Sequence, residues 1–191
     1  AYEMAARAGA DWSEATVWFS DERCVPPEHG LSNFRMANDA LLARLPKDQR
    51  PTVMRMEGEL GPVAGSASYE ASVREHLGND PRWDLLLLGL GPDAHTASLF
   101  PGKPEVQERS RLVVGVELAG MEPQVPRISL TLPALNAGRR TVFLVTGADK
   151  AGAVARAFGP DPDPDSPAAH VRPRFGELVV VLDAAAAKEL G

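Results

Sequence analysis

Residues 83–90 read Trp-Asp-Leu-Leu-Leu-Leu-Gly-Leu, and a polar turn begins directly afterwards at Gly91. The apolar run is too short to cross a bilayer as a helix, so it predicts a buried strand over residues 83–90. Its side chains are apolar on both faces, which is typical of a strand with helices packed on each side. The run therefore predicts a parallel sheet inside an α/β domain.

Outward from this run, further β-rich stretches alternate with stretches that have apolar residues at helical spacing. The predicted strands are 16–19, 52–56, 112–116, 141–145 and 178–182. The predicted helices are 33–45 with Ser32 as N-cap, 66–77 closed by Gly78, 150–158, and the Ala-rich stretch 184–190. This alternation predicts a mostly parallel, doubly wound sheet.

Composition excludes several classes of protein for this chain. The 191 residues fit one domain over 1–191, and the apolar and charged fractions are those of an ordinary globular chain. A net charge of -6 without clustered Lys or Arg argues against nucleic acid as a partner. No run suits a membrane span, and no signal or transit peptide is visible. The lone cysteine, Cys24, is expected to be an inert packing residue in a reducing cytoplasm.

Polar residues follow three of the predicted strands. Ligands of open α/β sheets bind beyond the carboxyl ends of the strands, so these segments are candidates for one cleft. The segments are 20–23, 89–96 and 146–150. The middle one holds Asp93 and His95 after Gly89 and Gly91, whose lack of a side chain lets the backbone approach a ligand.

A histidine beside a carboxylate suits general base catalysis near neutral pH. The residues leave a second interpretation open, in which His95 is a loop residue and Asp93 caps a short helix that begins near Thr96. A dinucleotide site, suggested loosely by Gly89, Gly91 and Ala94, is disfavoured because Pro101 and Gly102 interrupt the crossover helix that such a site needs.

Three cations, Arg23, Arg127 and Lys150, lie beside predicted strands and are candidates for holding a phosphate. Ordinary surface charge is the alternative for each of them. Residues 159–173 contain several prolines and aspartates and predict a long surface loop, either a tolerated insertion or a lid over the substrate.

Several separated blocks resemble the 6-phosphogluconolactonases of the glucosamine-6-phosphate isomerase/6-phosphogluconolactonase family. The blocks are WFSDERCVPPEHGLSN at 18–33, GLGPDAHTASLFP at 89–101, PRISLTL at 126–132, GADKA at 147–151 and ELVVVLDAAAA at 177–187. The resemblance follows the family order through essentially the whole chain. It implies a three-layer α/β/α sandwich shared with glucosamine-6-phosphate deaminases.

The resemblance also implies hydrolysis of 6-phosphoglucono-δ-lactone to 6-phosphogluconate in the oxidative pentose phosphate pathway, with no cofactor and no metal. His95 would be the general base with Asp93 beside it. The substrate and its phosphate would be bound by Asp21, Arg23, Gly91, Thr96, Arg127 and Lys150. We expect a cytoplasmic enzyme that acts on a small phosphosugar lactone as a monomer or weak dimer, without nucleic acid or membrane partners.

Two other functions fit the same resemblance. One is a glucosamine-6-phosphate deaminase, although those enzymes carry a Glu five residues after the loop histidine, where this chain has Phe100. The other is a noncatalytic phosphosugar-binding module, because the family's first strand and its Gly/Ser-rich phosphate loop have no counterpart here. We therefore expect the domain to lack its N-terminal βα unit, with residues 2–9 resembling the end of the helix that follows it.

The turn itself departs from the family pattern at one position, where Ala94 stands in place of the usual glycine. A residue with a Cβ atom is strained if that position needs a positive φ. We expect the change to be tolerated, because the flanking Asp93 and His95 are intact.

Overall fold

The computed structural model describes residues 1–190, in which strands and helices alternate. The strands are β1 (Thr16–Trp18), β2 (Asp21–Arg23), β3 (Thr52–Met54), β4 (Trp83–Leu88), β5 (Val113–Val116), β6 (Arg127–Leu130), β7 (Gly138–Val145) and β8 (Glu177–Leu182). The α-helices are α1 (Tyr2–Arg7), α2 (Asn33–Ala40), α3 (Gly61–Leu77), α4 (Leu132–Leu135) and α5 (Ala151–Phe158). Short 3-10 turns link several of these elements.

Strand pairing confirms the predicted α/β class with parallel strands. Strand β1 pairs with β3 in parallel, and β7 pairs in parallel with β4 on one side and β8 on the other. A third ladder, β2–β6–β5, is antiparallel. The sequence did not predict β2 and β6 as strands, because they are short and the three residues of β2 are all charged.

Helix boundaries follow the local capping chemistry. The Ser32 side chain accepts a hydrogen bond from Arg35 N at 3.1 Å, as expected of the N-cap of α2. Helix α3 ends where Gly78 takes a φ of +77° and its N–H bonds to the Arg74 carbonyl. Residues 184–190 were predicted as a helix, but they form turns. The Asp183 carboxylate accepts from Ala186 N at 2.7 Å, a local bond that competes with helix formation.

The main apolar core lies on one face of the β4–β7–β8 sheet. Leu86, Leu88 and Phe143 are buried there, and Phe143 packs edge-on against Phe158 of α5. Helix α3 packs on the antiparallel ladder, where Val73 and Ile128 are fully enclosed. The core thus anchors β4, whose carboxyl end carries the polar turn at Gly91.

The opposite face of the β4–β7–β8 sheet is apolar and exposed. Leu85, Leu87, Leu144 and Val181 retain between 44% and 56% of their surface. The strand register places them on one side, since Leu87 lies opposite Val142 and Leu144 lies opposite Val181. Helices therefore cover only one of the two faces within residues 1–190, although the sequence predicts cover on both. No helix in that range has the length and apolar character to cross a membrane.

Candidate active site

Residues 89–96 form a closed turn at the carboxyl end of β4, where the sequence predicts a ligand site. Gly91 N donates to the His95 carbonyl at 2.9 Å, and Ala94 N donates to the Gly91 carbonyl at 3.0 Å. The Thr96 hydroxyl donates to the Gly89 carbonyl at 3.0 Å. These three bonds hold Asp93 and His95 in fixed positions.

The side chains of Asp93 and His95 are paired. Asp93 Oδ1 lies 2.6 Å from His95 Nδ1 and also accepts from the His95 backbone N–H at 3.2 Å. Burial raises the pKa of Asp93, but its hydrogen bonds to His95 and the charge of His95 outweigh burial and lower that pKa below its ordinary value. Asp93 is then ionised near neutral pH and can only accept, so the shared proton belongs to Nδ1. In the tautomer with this proton on Nδ1, the Nε2 atom carries the lone pair that can take a proton.

Gly91 makes room for the paired side chains of Asp93 and His95. A Cβ atom at this position would overlap the His95 imidazole and approach Asp93 Oδ1 to 2.8 Å. Any side chain would therefore displace the ring. The sequence predicts Gly91 as a substrate-binding residue, and its contacts show that it also sets the position of His95.

Ala94 takes a positive φ of +65° and is completely buried. The family glycine at this position is thus replaced by a residue that pays a conformational cost of about 1 kcal/mol. The pairing of His95 with Asp93 is nevertheless intact. The departure therefore leaves the pair in place.

No helix begins at Thr96, unlike in the second interpretation of this loop. Ala97 has a φ of +48°, and Leu99 N donates to the Thr96 carbonyl at 3.0 Å to close a tight turn. The buried Thr96 hydroxyl, expected to bind substrate, donates instead to the Gly89 carbonyl. Asp93 likewise caps no helix there, and its carboxylate binds His95 instead.

Arg23 and Arg127 lie directly opposite each other in the β2–β6 ladder. The predicted loop 20–23 is thus largely a strand. Arg127 is buried, and burial together with the nearby Arg23 lowers its pKa, whereas Asp21, Cys24 and Glu22 raise it. Arg23 Nη1 donates to the Leu31 carbonyl at 2.9 Å, while its buried Nε has no partner among the described residues. Their positions across the ladder put two positive side chains on the same face of the sheet, and Arg127 Nη2 donates to the Pro123 carbonyl at 2.9 Å.

Asp21 connects β2 to the segment after His95. Its Oδ2 accepts from the Ser98 hydroxyl at 2.8 Å, and its Oδ1 lies 3.3 Å from the donating Asn33 Nδ2. Ser98 N donates in turn to the Ser129 hydroxyl at 3.1 Å. Asp21, predicted to line the pocket, thus uses its carboxylate to hold the catalytic segment against β2 and β6.

Glu22 is an important residue that the sequence analysis missed. This buried carboxylate accepts from Ser32 Oγ at 3.0 Å and from the backbone N–H groups of Asn33 and Phe34 at 2.7 Å each. It therefore holds the start of α2 against the arginine strand. The only signal in the sequence is a Glu beside Arg23 followed by the Ser32 N-cap, which is too common a pattern to be specific.

Lys150 is set apart from this network. It lies at the start of α5, half-buried, with its Nζ 3.7 Å from Asp149 Oδ2. Within residues 1–190, no hydrogen bond or ion pair joins it to the other predicted site residues. Within the same range, no group of three or more His, Cys, Asp or Glu side chains is arranged to hold a metal ion.

The proline-rich segment 159–173 packs behind the catalytic turn. Ala168 N donates to the Ala94 carbonyl at 3.2 Å, and just before the segment Arg156 Nη2 donates to the Pro92 carbonyl at 2.7 Å. Ser166, Ala168 and Val171 are buried. Part of the predicted surface loop is thus a packed support for the turn.

Comparison with known proteins shows which family the chain resembles. Residues 1–180 match the family described as glucosamine-6-phosphate isomerases/6-phosphogluconolactonase. The chain is 42% identical to a 6-phosphogluconolactonase of Streptomyces coelicolor, with 97% of this chain and 74% of that protein aligned. It is 39% identical to a human 6-phosphogluconolactonase over 92% of this chain and 68% of that protein.

A solved structure gives the same result. The crystal structure of a 6-phosphogluconolactonase from Thermotoga maritima superposes with a TM-score of 0.80 at 31% identity, covering 95% of this chain and 79% of that one. These similarities identify the chain as a member of the glucosamine-6-phosphate isomerase/6-phosphogluconolactonase family.

Proposed function

We propose that this protein hydrolyses 6-phosphoglucono-δ-lactone to 6-phosphogluconate in the oxidative pentose phosphate pathway. The observation that carries the proposal is the 2.6 Å contact between His95 Nδ1 and Asp93 Oδ1, which leaves Nε2 as a base. The names of the relatives at 39% and 42% identity support this choice of substrate.

In the proposed reaction, His95 Nε2 takes a proton from a water molecule as its oxygen attacks the lactone carbonyl carbon. Asp93 stabilises the imidazolium that forms, and a guanidinium stabilises the developing oxyanion. When the bond between the carbonyl carbon and the ring oxygen breaks, the imidazolium returns its proton to that ring oxygen. The products are a carboxylic acid, which ionises, and a hydroxyl group on the opened sugar.

The anionic parts of the substrate would be bound by Arg23 and Arg127, with Lys150 as a further candidate. The buried, lowered-pKa guanidinium of Arg127 gains most from a bound anion, because an anion offsets the repulsion by Arg23. Thr96 and Gly91 would contribute through their positions in the turn rather than through free polar side chains.

The cellular setting follows from the same proposal. We infer a cytoplasmic enzyme, because the single cysteine is a free thiol and the substrate is a small metabolite. The net charge of -6 supports a protein without a nucleic-acid partner. We propose a monomer or weak dimer, which sedimentation analysis would test.

The decisive experiment measures acid release from fresh 6-phosphoglucono-δ-lactone above its spontaneous opening. His95→Ala should lower the enzymatic rate about 10²–10⁴-fold, as expected for loss of a general base. His76→Ala, at an exposed histidine on α3, is the matched control. A wild-type rate equal to background, with phosphosugar binding retained, would favour the noncatalytic module; release of ammonia from glucosamine 6-phosphate would favour the deaminase.

A second substrate separates the two roles open to Arg127. If its guanidinium binds the phosphate, Arg127→Met should lower kcat/KM for the phosphorylated lactone and leave the slower hydrolysis of unphosphorylated glucono-δ-lactone unchanged. If it stabilises the oxyanion, both reactions should slow by about 10²–10³-fold. A variant equal to wild type on both lactones would remove Arg127 from the site.

A further inference from the structure

Phe100 lies against two functional side chains at once. Its ring centroid is 4.6 Å from that of the His95 imidazole, with a 42° angle between the planes. The Arg127 Cζ atom lies 6.0 Å from the same centroid. Phe100 is buried to 1% exposure, so its ring occupies space that solvent would otherwise fill. It is thus the residue that contacts both the proposed base and the buried cation.

The ring is held by a small cluster that is separate from the main core. Phe100, Val116 and Ala119 form this cluster, with Met121 packed against it. A Cβ atom at Gly120 would approach the Phe100 Cγ to 2.6 Å, so the turn after β5 packs directly against the ring. The position of the ring therefore depends on residues 116–121 rather than on the catalytic turn.

We propose that Phe100 is a positioning residue for the reaction: its ring fixes the plane of the His95 imidazole and keeps it apart from the Arg127 guanidinium. This inference rests on the proposed lactone hydrolysis. Asp93 contacts the imidazole ring only at Nδ1, so rotation of the ring about that contact must be limited by packing. The Phe100 ring supplies that limit on the side where it touches the imidazole.

The Phe100 ring also interacts favourably with the positive charge that His95 gains during the reaction. When His95 takes a proton it becomes a cation, and an aromatic face attracts a cation more than a neutral ring. The contact is thus stronger in the transition state than before the reaction, which affects kcat rather than substrate binding. An aliphatic side chain fills similar space without this attraction and without a flat surface.

The first test replaces the ring. Phe100→Leu should lower kcat about tenfold or more with KM changed less than threefold, because small misplacements of a base are costly. Phe143→Leu is the matched control, since it makes the same change at an equally buried ring that packs on Phe158. Equal kcat values for the two variants, after correction for the folded fraction, would overturn the proposal.

The second test moves the ring without removing it. Gly120→Ala introduces the Cβ atom that crowds Phe100, and it should lower kcat in the same way at unchanged KM. Gly30→Ala is its control, because a Cβ atom there meets nothing within 4 Å. If Gly120→Ala is as active as Gly30→Ala, the ring does not position the base.

A readout independent of activity separates this inference from the proposed function. The NMR signal of the His95 Nδ1 proton, assigned by its loss in His95→Ala, should shift in Phe100→Leu and Gly120→Ala but not in the two controls. An unchanged signal would contradict positioning by Phe100 even if the lactone is hydrolysed. A shifted signal in a protein without lactonase activity would retain the positioning and reject the reaction.

Discussion

Arg23 and Arg127 are direct cross-strand partners in the β2–β6 ladder, so two positive side chains lie on the same face of one sheet. Like charges placed directly opposite each other are destabilising, and the burial of Arg127 adds to this cost. A bound anion would offset this repulsion.

The first prediction follows from this pair. Inorganic phosphate at ten times its Kd should stabilise the protein by about 1.4 kcal/mol, which corresponds to a rise in Tm of roughly 3–6 °C. Arg127→Met should lose this rise, because one of the two guanidiniums is gone. Arg174→Met, at an exposed arginine, should keep it. Thermal unfolding with and without phosphate measures both, and a rise in Arg127→Met equal to that of wild type would contradict the prediction.

The second prediction concerns the space that Gly91 leaves for His95. Gly91→Ala should lower the lactonase rate by about a hundredfold, because its methyl group must push the imidazole out of position. Gly89→Ala adds the same methyl group two residues earlier, where nothing lies within 4 Å, and should retain the activity. Steady-state rates of lactone hydrolysis by the two variants test this prediction. Equal rates would mean that the turn adjusts without cost.

The third prediction concerns Ala94. Glycine would relieve about 1 kcal/mol of backbone strain but would lose about 0.8 kcal/mol from a buried methyl group, so Ala94→Gly should change stability by less than about 1 kcal/mol. Ala94→Val should cost at least about 2 kcal/mol, since a β-branched residue at positive φ also overpacks an enclosed site. Urea unfolding measures both free energies. Comparable stability of the two variants would show that the backbone φ had shifted.

The fourth prediction is a pH dependence that originates in Asp93. Its pKa is lower in the folded protein than in the unfolded chain, so its contribution to stability is present above about pH 4 and declines as the pH falls towards the folded value. The stability difference between wild type and Asp93→Asn should therefore be larger at pH 7 than at pH 3. Urea unfolding at both pH values tests this. A constant difference would indicate that Asp93 titrates normally.

The fifth prediction concerns the thiol. Burial, followed by the nearby Glu117 and Glu22, raises the pKa of Cys24 to about 11. At pH 8 its thiolate fraction is then about a hundredfold below that of an ordinary cysteine, and its reaction with a disulfide reagent should slow in proportion. The urea-unfolded chain is the control and should react at the ordinary rate. Rapid labelling of the folded protein would contradict the assigned environment.

The sequence predicted the closeness of Asp93 to His95 and the presence of parallel strands for clear physical reasons. Long apolar runs such as residues 83–90 have few alternatives to a buried strand, and a turn that brings Asp93 and His95 together is a local arrangement. The alternative of a helix that begins near Thr96 stayed open because the sequence does not reveal that Ala97 takes a positive φ. The features that could be predicted were therefore those set by residues close together in the sequence.

Contacts between distant segments could not be predicted. The pairing of Arg23 with Arg127 joins residues about a hundred positions apart, and β2 has no apolar alternation to identify it as a strand. The three contacts of Glu22 with the start of α2 and the bond from Ser98 to Asp21 likewise depend on the folded chain. The exposure of Leu85 and Leu87 could not be predicted either, since an apolar run does not reveal which of its faces is covered.

The support of the catalytic turn by the proline-rich segment has a consequence for anyone who shortens or diversifies this protein. In the sequence, residues 159–173 look like the safest place for a deletion, since they lack a regular apolar pattern. Yet the bond from Ala168 to Ala94 ties this stretch to the most strained residue of the turn, next to His95. Trimming it would act on the reaction from more than seventy residues away along the chain, so engineered libraries should vary the exposed Asp161 rather than the buried Ser166 and Ala168.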